Sequence, residues 1–214
     1  MVDITNKRLK IVLNLIDQDL NTKRLYDSKW HKIVNFLYSN TGFDIARIVK
    51  GGSLGKQTYF YQSDLDVGFS TPEDYNLYEM LSFLKLKADQ MFGENAYIRQ
   101  SSHAVQFEFN DTGCKVDLVY LTNDEFDWEY QEIKQLKTTL HVQQNAIKIA
   151  KFALYRFLGE DIHGYEVERA CLTLDRKGLK DCVLSIIHYF NNRLNQYGYT
   201  ENDIINFLLQ KSKE

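Results

Sequence analysis

Apolar residues recur at helical spacing at the start of the chain. Leu9, Val12, Leu13 and Ile16 fall three and four apart, so the pattern predicts a helix over 5–20. Trp30, Ile33, Val34 and Leu37 give a second helix over 28–38, which Asn40-Thr41-Gly42 ends. The period then changes. Residues 44–50 and 64–69 read as strands, and Ser70-Thr71-Pro72-Glu73 starts a helix reaching about residue 92. Val105 to Phe109 alternates, Asn110 to Gly113 makes a turn, and 115–121 returns as the partner strand. After about Trp128 the pattern is helical to the end. Val142, Ala146, Ile149, Ala150, Ala153, Leu154 and Phe157 form one stripe over 141–158. A short helix follows over 165–174 and a longer one over 179–197, and Thr200 caps a last one to about 211. Helices, a mixed sheet with an intervening helix, then more helices make an α+β order. It predicts a lobe over 1–125, a helical lobe over 126–214, and a site where they meet.

Composition changes this picture little. The 214 residues suffice for one sizeable core, or for one core with a helical companion lobe. No apolar run approaches a membrane span and the first residues lack a signal-peptide core, so a cytosolic or nuclear protein without a membrane partner is expected. Three cysteines in no Cys-x-x-Cys pair agree with a reducing compartment. Scattered histidines give no support to a structural zinc site. The net charge of −3 hides an asymmetry, with +4 in residues 1–50 and −7 in the remainder. That is a weak pointer to a polyanion such as RNA, and a solvated helix face is the simpler and favoured explanation.

The chemistry gathers between Lys50 and Phe69, which read KGGSLGKQTYFYQSDLDVGF. Gly51, Gly52 and Gly55 permit positive φ and close approach of the backbone. With the Ser53 hydroxyl and the Lys56 cation they make a turn suited to phosphate oxygens. It is neither a Walker A loop, since no Ser or Thr follows Lys56, nor a Gly-x-Gly-x-x-Gly fingerprint. Asp64 and Asp66 follow on one strand face. Two such carboxylates repel unless a cation sits between them. Asp117 interrupts the apolar run Lys-Val-Asp-Leu-Val, where an aspartate is disfavoured unless paired. If the two strands are neighbours, the three carboxylates can hold two Mg²⁺ ions, with Mn²⁺ as a substitute, and Asp117 can serve as general base.

These residues carry a family resemblance. A Gly-Ser turn, Asp-x-Asp and a later strand aspartate resemble the DNA polymerase β-like nucleotidyltransferase superfamily. KGGSLGKQT…SDLDV is similar to the oligoadenylate synthases and the cyclic GMP-AMP synthase-like enzymes. The resemblance implies a nucleotidyltransferase sheet with helices followed by a helical lobe. It implies that Ser53 touches the β- and γ-phosphates, that Lys148 and Lys151 grip the triphosphate, and that Tyr165 stacks on the donor base. A snorkelling lysine and a core tyrosine are the plain alternatives for Lys151 and Tyr165.

The expected activity is transfer of a nucleoside monophosphate from ATP, or another NTP, to a nucleotide hydroxyl with loss of pyrophosphate. The rival acceptor is an RNA 3′ end, as in CCA-adding enzymes and poly(A) polymerases. A catalytically silent nucleotide- or RNA-binding relative is the third reading. RNA enters either as acceptor or, double-stranded, as activator.

Overall fold

The computed structural model describes residues 4–17, 20–59, 63–138, 141–173 and 178–214, without the side chains of 20–23, 137, 138 and 160. Five strands, β1 Arg47–Lys50, β2 Leu65–Ser70, β3 Ala96–Gln100, β4 Val105–Phe109 and β5 Lys115–Tyr120, form one sheet in the order β1-β2-β5-β4-β3. β2 and β5 run parallel; every other pair is antiparallel. The alternation in the sequence becomes a difference between faces. Leu65, Val67, Phe69, Ile98, Val105, Phe107, Phe109, Val116, Leu118 and Tyr120 are buried on one side. Two helices, α2 Leu20–Asn40 and α4 Leu77–Phe92, complete that core with Ile33, Phe36, Leu37, Leu81 and Leu84. The four-residue turn α3 Gly52–Gly55 and the helix α5 Asn123–Thr138 pack against β2.

The chain's contacts divide it into two units. The sheet and α2 to α5 make one. The other holds α1 Asn6–Asp17, Thr58 and Tyr59, and the helices α6 His141–Leu158, α7 Gly164–Leu172, α8 Leu179–Tyr189, α9 Asn191–Gln196 and α10 Glu201–Lys211. Leu9, Val12, Leu13 and Ile16 form the buried stripe of α1, which packs on α6, α8 and α10. So α1 groups with the C-terminal helices and α5 with the sheet, where the sequence placed each on the other side of residue 125.

Several boundaries differ from the pattern. Residues 44–46 precede β1, and α2 begins eight residues before the predicted start at Ser28. Ser70 stays in β2, paired with Arg47, and α4 waits for Asn76, whose side chain accepts from the Glu79 N–H. β3 is an element that the pattern does not predict, because its sequence Ala-Tyr-Ile-Arg-Gln gives only Ala96 and Ile98 as a buried alternating row. The helix expected over 179–197 breaks at Phe190. Residues 18, 19 and Leu174, also assigned to helices, lie outside the described residues. Lys29 of α2 is 2% exposed inside the apolar stripe. Its ammonium lies 2.7 Å from Asp111 and 4.2 Å from the centre of the Phe109 ring, so burial is compensated by charge and by a π-face.

Candidate active site

Strand register brings the two central carboxylates together. Asp66 of β2 stands directly opposite Asp117 of β5, on the face turned away from the core. Asp64 lies two residues upstream, just before β2 begins, and is exposed. Gln106 of β4 stands opposite Asp117 and donates its side-chain N–H groups to both Asp117 oxygens, at 3.1 and 3.0 Å. Burial, and then the charges of Asp117, Asp64 and Glu129, push Asp66 up to about 7 against the pull of Lys56. Asp64 reaches solvent, yet its carboxyl is also raised, first by the protein around it and next by Asp117.

The glycine turn is tied to these carboxylates. The Gly51 N–H donates to the Asp66 carbonyl at 2.9 Å. Gly52 has φ +54°, and a Cβ placed there would lie 1.6 Å from Asp66 Oδ2. The missing side chain is therefore what lets backbone and carboxylate share the space. Gly52→Ala is expected to swing the Asp66 carboxylate aside and cost at least a hundredfold in turnover, because small displacements at a reacting centre cost about that much. A steady-state assay checks this, and near-native activity would show that Asp66 does not need its observed orientation. Ser53 is half-buried, and its hydroxyl makes no hydrogen bond among the described residues.

Sequence reasoning missed two carboxylates here. Glu129 and Glu132 stand three apart on one face of α5. Glu132 lies 3.0 Å from the Lys56 ammonium, which is 5% exposed by residue, and Glu129 accepts a long 3.4 Å contact from the Gly52 N–H. The spacing was visible, but an acidic helix reads as a solvated face until its position against the glycine turn is known.

The other three predicted residues lie in the helical unit. Lys151 is 4% exposed and sits 2.6 Å from Glu168 and 3.1 Å from the Thr58 hydroxyl, which itself donates to Glu168 at 2.7 Å. Lys148 pairs with Asp17 at 2.8 Å and lies over the Tyr59 ring. Tyr165 is exposed and stacked on His163, with the ring planes 9° apart. The start of α7 beneath that pair is held by Arg193, which grips both Glu166 oxygens at 2.8 and 2.9 Å. This bond holds Glu166 down at about 2.

Among the described residues, no group of three or more His, Cys, Asp or Glu side chains is gathered into a metal cage. The donor chemistry nevertheless suits a hard divalent cation. Asp66 and Asp117 are adjacent oxygen donors whose mutual repulsion a cation would relieve, and Asp64 stands within electrostatic reach.

A five-stranded mixed sheet with flanking helices carries Asp66 and Asp117 on its central parallel pair, an arrangement that matches the polymerase β-like nucleotidyltransferase fold. No protein-family model and no curated protein sequence matches the chain. Solved structures do match. The cyclic dinucleotide synthase CdnE of Elizabethkingia meningoseptica, with GTP and Apcpp, matches at TM-score 0.61 and 13% identity, over 98% of this chain and 97% of that one. CdnC of E. coli MS115-1, in complex with HORMA-ΔN, matches at TM-score 0.54 and 16% identity, over 85% of this chain. This chain spans 66% of CdnC. The Cid1 poly(U) polymerase, with Mg and 3′-dATP bound, matches at TM-score 0.63 and 9% identity, over 87% and 74% of the two chains. Identities this low establish the shared fold and leave the substrate to the site.

Proposed function

We propose that the chain is a template-independent nucleotidyltransferase that moves NMP from ATP or another NTP to a nucleotide hydroxyl. The observation that carries this reading is Asp66 opposite Asp117, with the glycine turn folded against Asp66. In the reaction the acceptor oxygen bonds to the α-phosphorus as the bond to pyrophosphate breaks, and the hydroxyl proton passes to a carboxylate. Asp117 is the base in this reading, oriented by Gln106, while Asp64 and Asp66 complete the cation-binding set. Mg²⁺ or Mn²⁺ held there would neutralise the phosphates and lower the pKa of the attacking hydroxyl. The Ser53 and Leu54 N–H groups of the turn, the Ser53 hydroxyl and Lys56 are assigned to the donor phosphates. For Lys56 this requires giving up Glu132, since one ammonium cannot neutralise both.

In the helical unit the exposed Tyr165 ring is suited to a nucleobase. Lys148 and Lys151 would grip phosphates only by leaving Asp17 and Glu168. For Lys151 a structural role fits its burial better.

Likeness to both CdnE and Cid1 keeps two acceptors in view, a second nucleotide and an RNA 3′ end, and the first is favoured by the sequence of the glycine turn. The decisive experiment measures pyrophosphate release from each NTP with Mg²⁺ or Mn²⁺, with and without double-stranded RNA, beside Asp117→Ala. Release that depends on Asp117 is expected, with small oligonucleotides as products by mass. Lengthening of added RNA would assign the tailing reaction instead. No release from any NTP, with double-stranded RNA or with a single-stranded RNA 3′ end present, would overturn the reading in favour of a binding protein.

A further inference from the structure

The sheet face that carries the carboxylates continues past them to the edge of the sheet. Asp66 stands opposite Asp117, Asp117 opposite Gln106, and Gln106 opposite Arg99. In the neighbouring row Lys115 stands opposite Glu108, and Glu108 opposite Tyr97. Directly opposite residues share a face. Ile98, Phe107 and Val116, between these two rows, all point into the core. Tyr97, Arg99, Glu108 and Lys115 therefore project on the same side as Asp66 and Asp117. All four are exposed, Tyr97 to 65%. The side chains of Tyr97, Arg99 and Lys115 make no hydrogen bond or ion pair among the described residues.

Strand order gives this surface a direction. The glycine turn follows β1 on one flank of the carboxylates, and Arg99 and Tyr97 lie on β3, at the other edge. Arg99 is two strand spacings from Asp117, roughly 10 Å, and Lys115 is two residues along β5 from it, roughly 7 Å.

We propose that Tyr97, Arg99 and Lys115 form the binding surface for the acceptor nucleotide, with its base on Tyr97 and its phosphate on Arg99 and Lys115. The inference rests on the nucleotidyltransferase reading and assigns the second substrate of the same site. An exposed ring gains from stacking on a base. A guanidinium fork matches two phosphate oxygens, and an ammonium adds a point charge. The central carboxylates repel a phosphate and so direct it outwards, which leaves the ribose of the same nucleotide facing Asp117. Glu108, between Tyr97 and Lys115, only accepts hydrogen bonds when ionised and suits a ribose hydroxyl or an exocyclic amine. With donor phosphates on the β1 flank and acceptor phosphate on the β3 flank, the reacting atoms meet over β2 and β5.

The test uses AMP, CMP, GMP and UMP. They carry a ribose hydroxyl and a phosphate but no pyrophosphate to lose, so each serves only as acceptor. Two quantities are measured for the wild type and each variant: binding in EDTA by calorimetry, and incorporation of the monophosphate into product from α-labelled ATP. Arg99→Gln and Tyr97→Ala are each expected to weaken binding and raise the monophosphate KM about tenfold. The KM for ATP as donor, at saturating monophosphate, should stay within twofold. Lys115→Gln should act in the same direction and flatten the salt dependence of binding. All three substitutions fall on exposed strand positions, so thermal unfolding should remain near that of the wild type.

Monophosphate binding and KM unchanged in both Arg99→Gln and Tyr97→Ala would overturn the assignment while pyrophosphate release left the reaction standing. Hexaadenylate binding more than tenfold tighter than any monophosphate, in an Arg99-dependent way, would also overturn it and give the surface to an RNA 3′ end. Arg99-dependent monophosphate binding without pyrophosphate release from any NTP would uphold the surface and remove the reaction.

Discussion

Asp66→Asn is expected to lower turnover at least a thousandfold and, at the same time, to stabilise the metal-free protein above pH 7. A thousandfold corresponds to about 4 kcal/mol of lost transition-state stabilisation, within what one misplaced or missing charge at such a centre removes. The stability gain follows from the acid's position. Its pKa rises from the ordinary 3.8 to about 7 in the folded chain, so the native state holds this proton more tightly than the unfolded state does. Asp66 therefore supports folding below about pH 4, and this support is lost as the pH rises to about 7. Above that, ionised Asp66 opposes folding by at most roughly 4 kcal/mol, and nearer 2 once its partial solvent contact is allowed for. Asparagine keeps the shape and never ionises. Urea unfolding between pH 5 and 8 should show the variant's advantage growing with pH, and 10 mM Mg²⁺ should shrink it by stabilising only the wild type. A pH-independent difference would mean that Asp66 is not held protonated at neutrality. The same linkage makes cation uptake release protons, so metal affinity should be weaker at pH 6 than at pH 8.

The second large effect lies in the helical unit. Glu168→Leu removes the carboxylate beside a lysine that is almost wholly enclosed, and leaves Lys151 to ionise in a buried site without that counter-charge or give up its proton. Breaking a buried pair from one side costs about 3–5 kcal/mol. For a chain of this size that is a fall in Tm of roughly 10 °C. Lys151→Met combined with Glu168→Leu should recover most of it, because the cost lies in the stranded charge rather than in the lost attraction. Thermal unfolding of the four members of this cycle gives the answer. Near-additive losses, together with a selective rise in the NTP KM of the lysine variant, would restore Lys151 to the phosphate-gripping role that its place in the sequence suggests.

What the sequence disclosed and what it withheld have the same cause. Asp66 and Asp117 stand out in the sequence because charge in an apolar strand is improbable, and β4, α6 and α10 are legible because their periods are clean. The opposition of Asp66 and Asp117 was conditional on strand order, which no local pattern encodes. β3 escaped because an edge strand buries only one row, here Ala96 and Ile98, and its other row is polar. Gln106 was invisible as a partner because the antiparallel register of β4 and β5, not its own neighbours, brings it to Asp117. The pairing of Lys151 with Glu168 was hidden for the opposite reason. At its spacing from Lys148 it looks like one of two exposed cations, and only the fold encloses one of them.

The parallel pairing of β2 with β5 has a consequence for how the molecule forms. The β4–β5 hairpin closes over a four-residue turn at Asn110 to Gly113, and β3 joins β4 across a similarly short connection. β2 can meet β5 only after the chain has laid down α4, β3 and β4 between them. Contacts of that separation must meet their loop-closure entropy before they return any stabilisation, so they form late. The last seam of the sheet to close is the one that sets Asp66 against Asp117. Until it does, a nascent chain carries neither the repulsion between these acids nor the paired carboxylates on which the proposed chemistry rests.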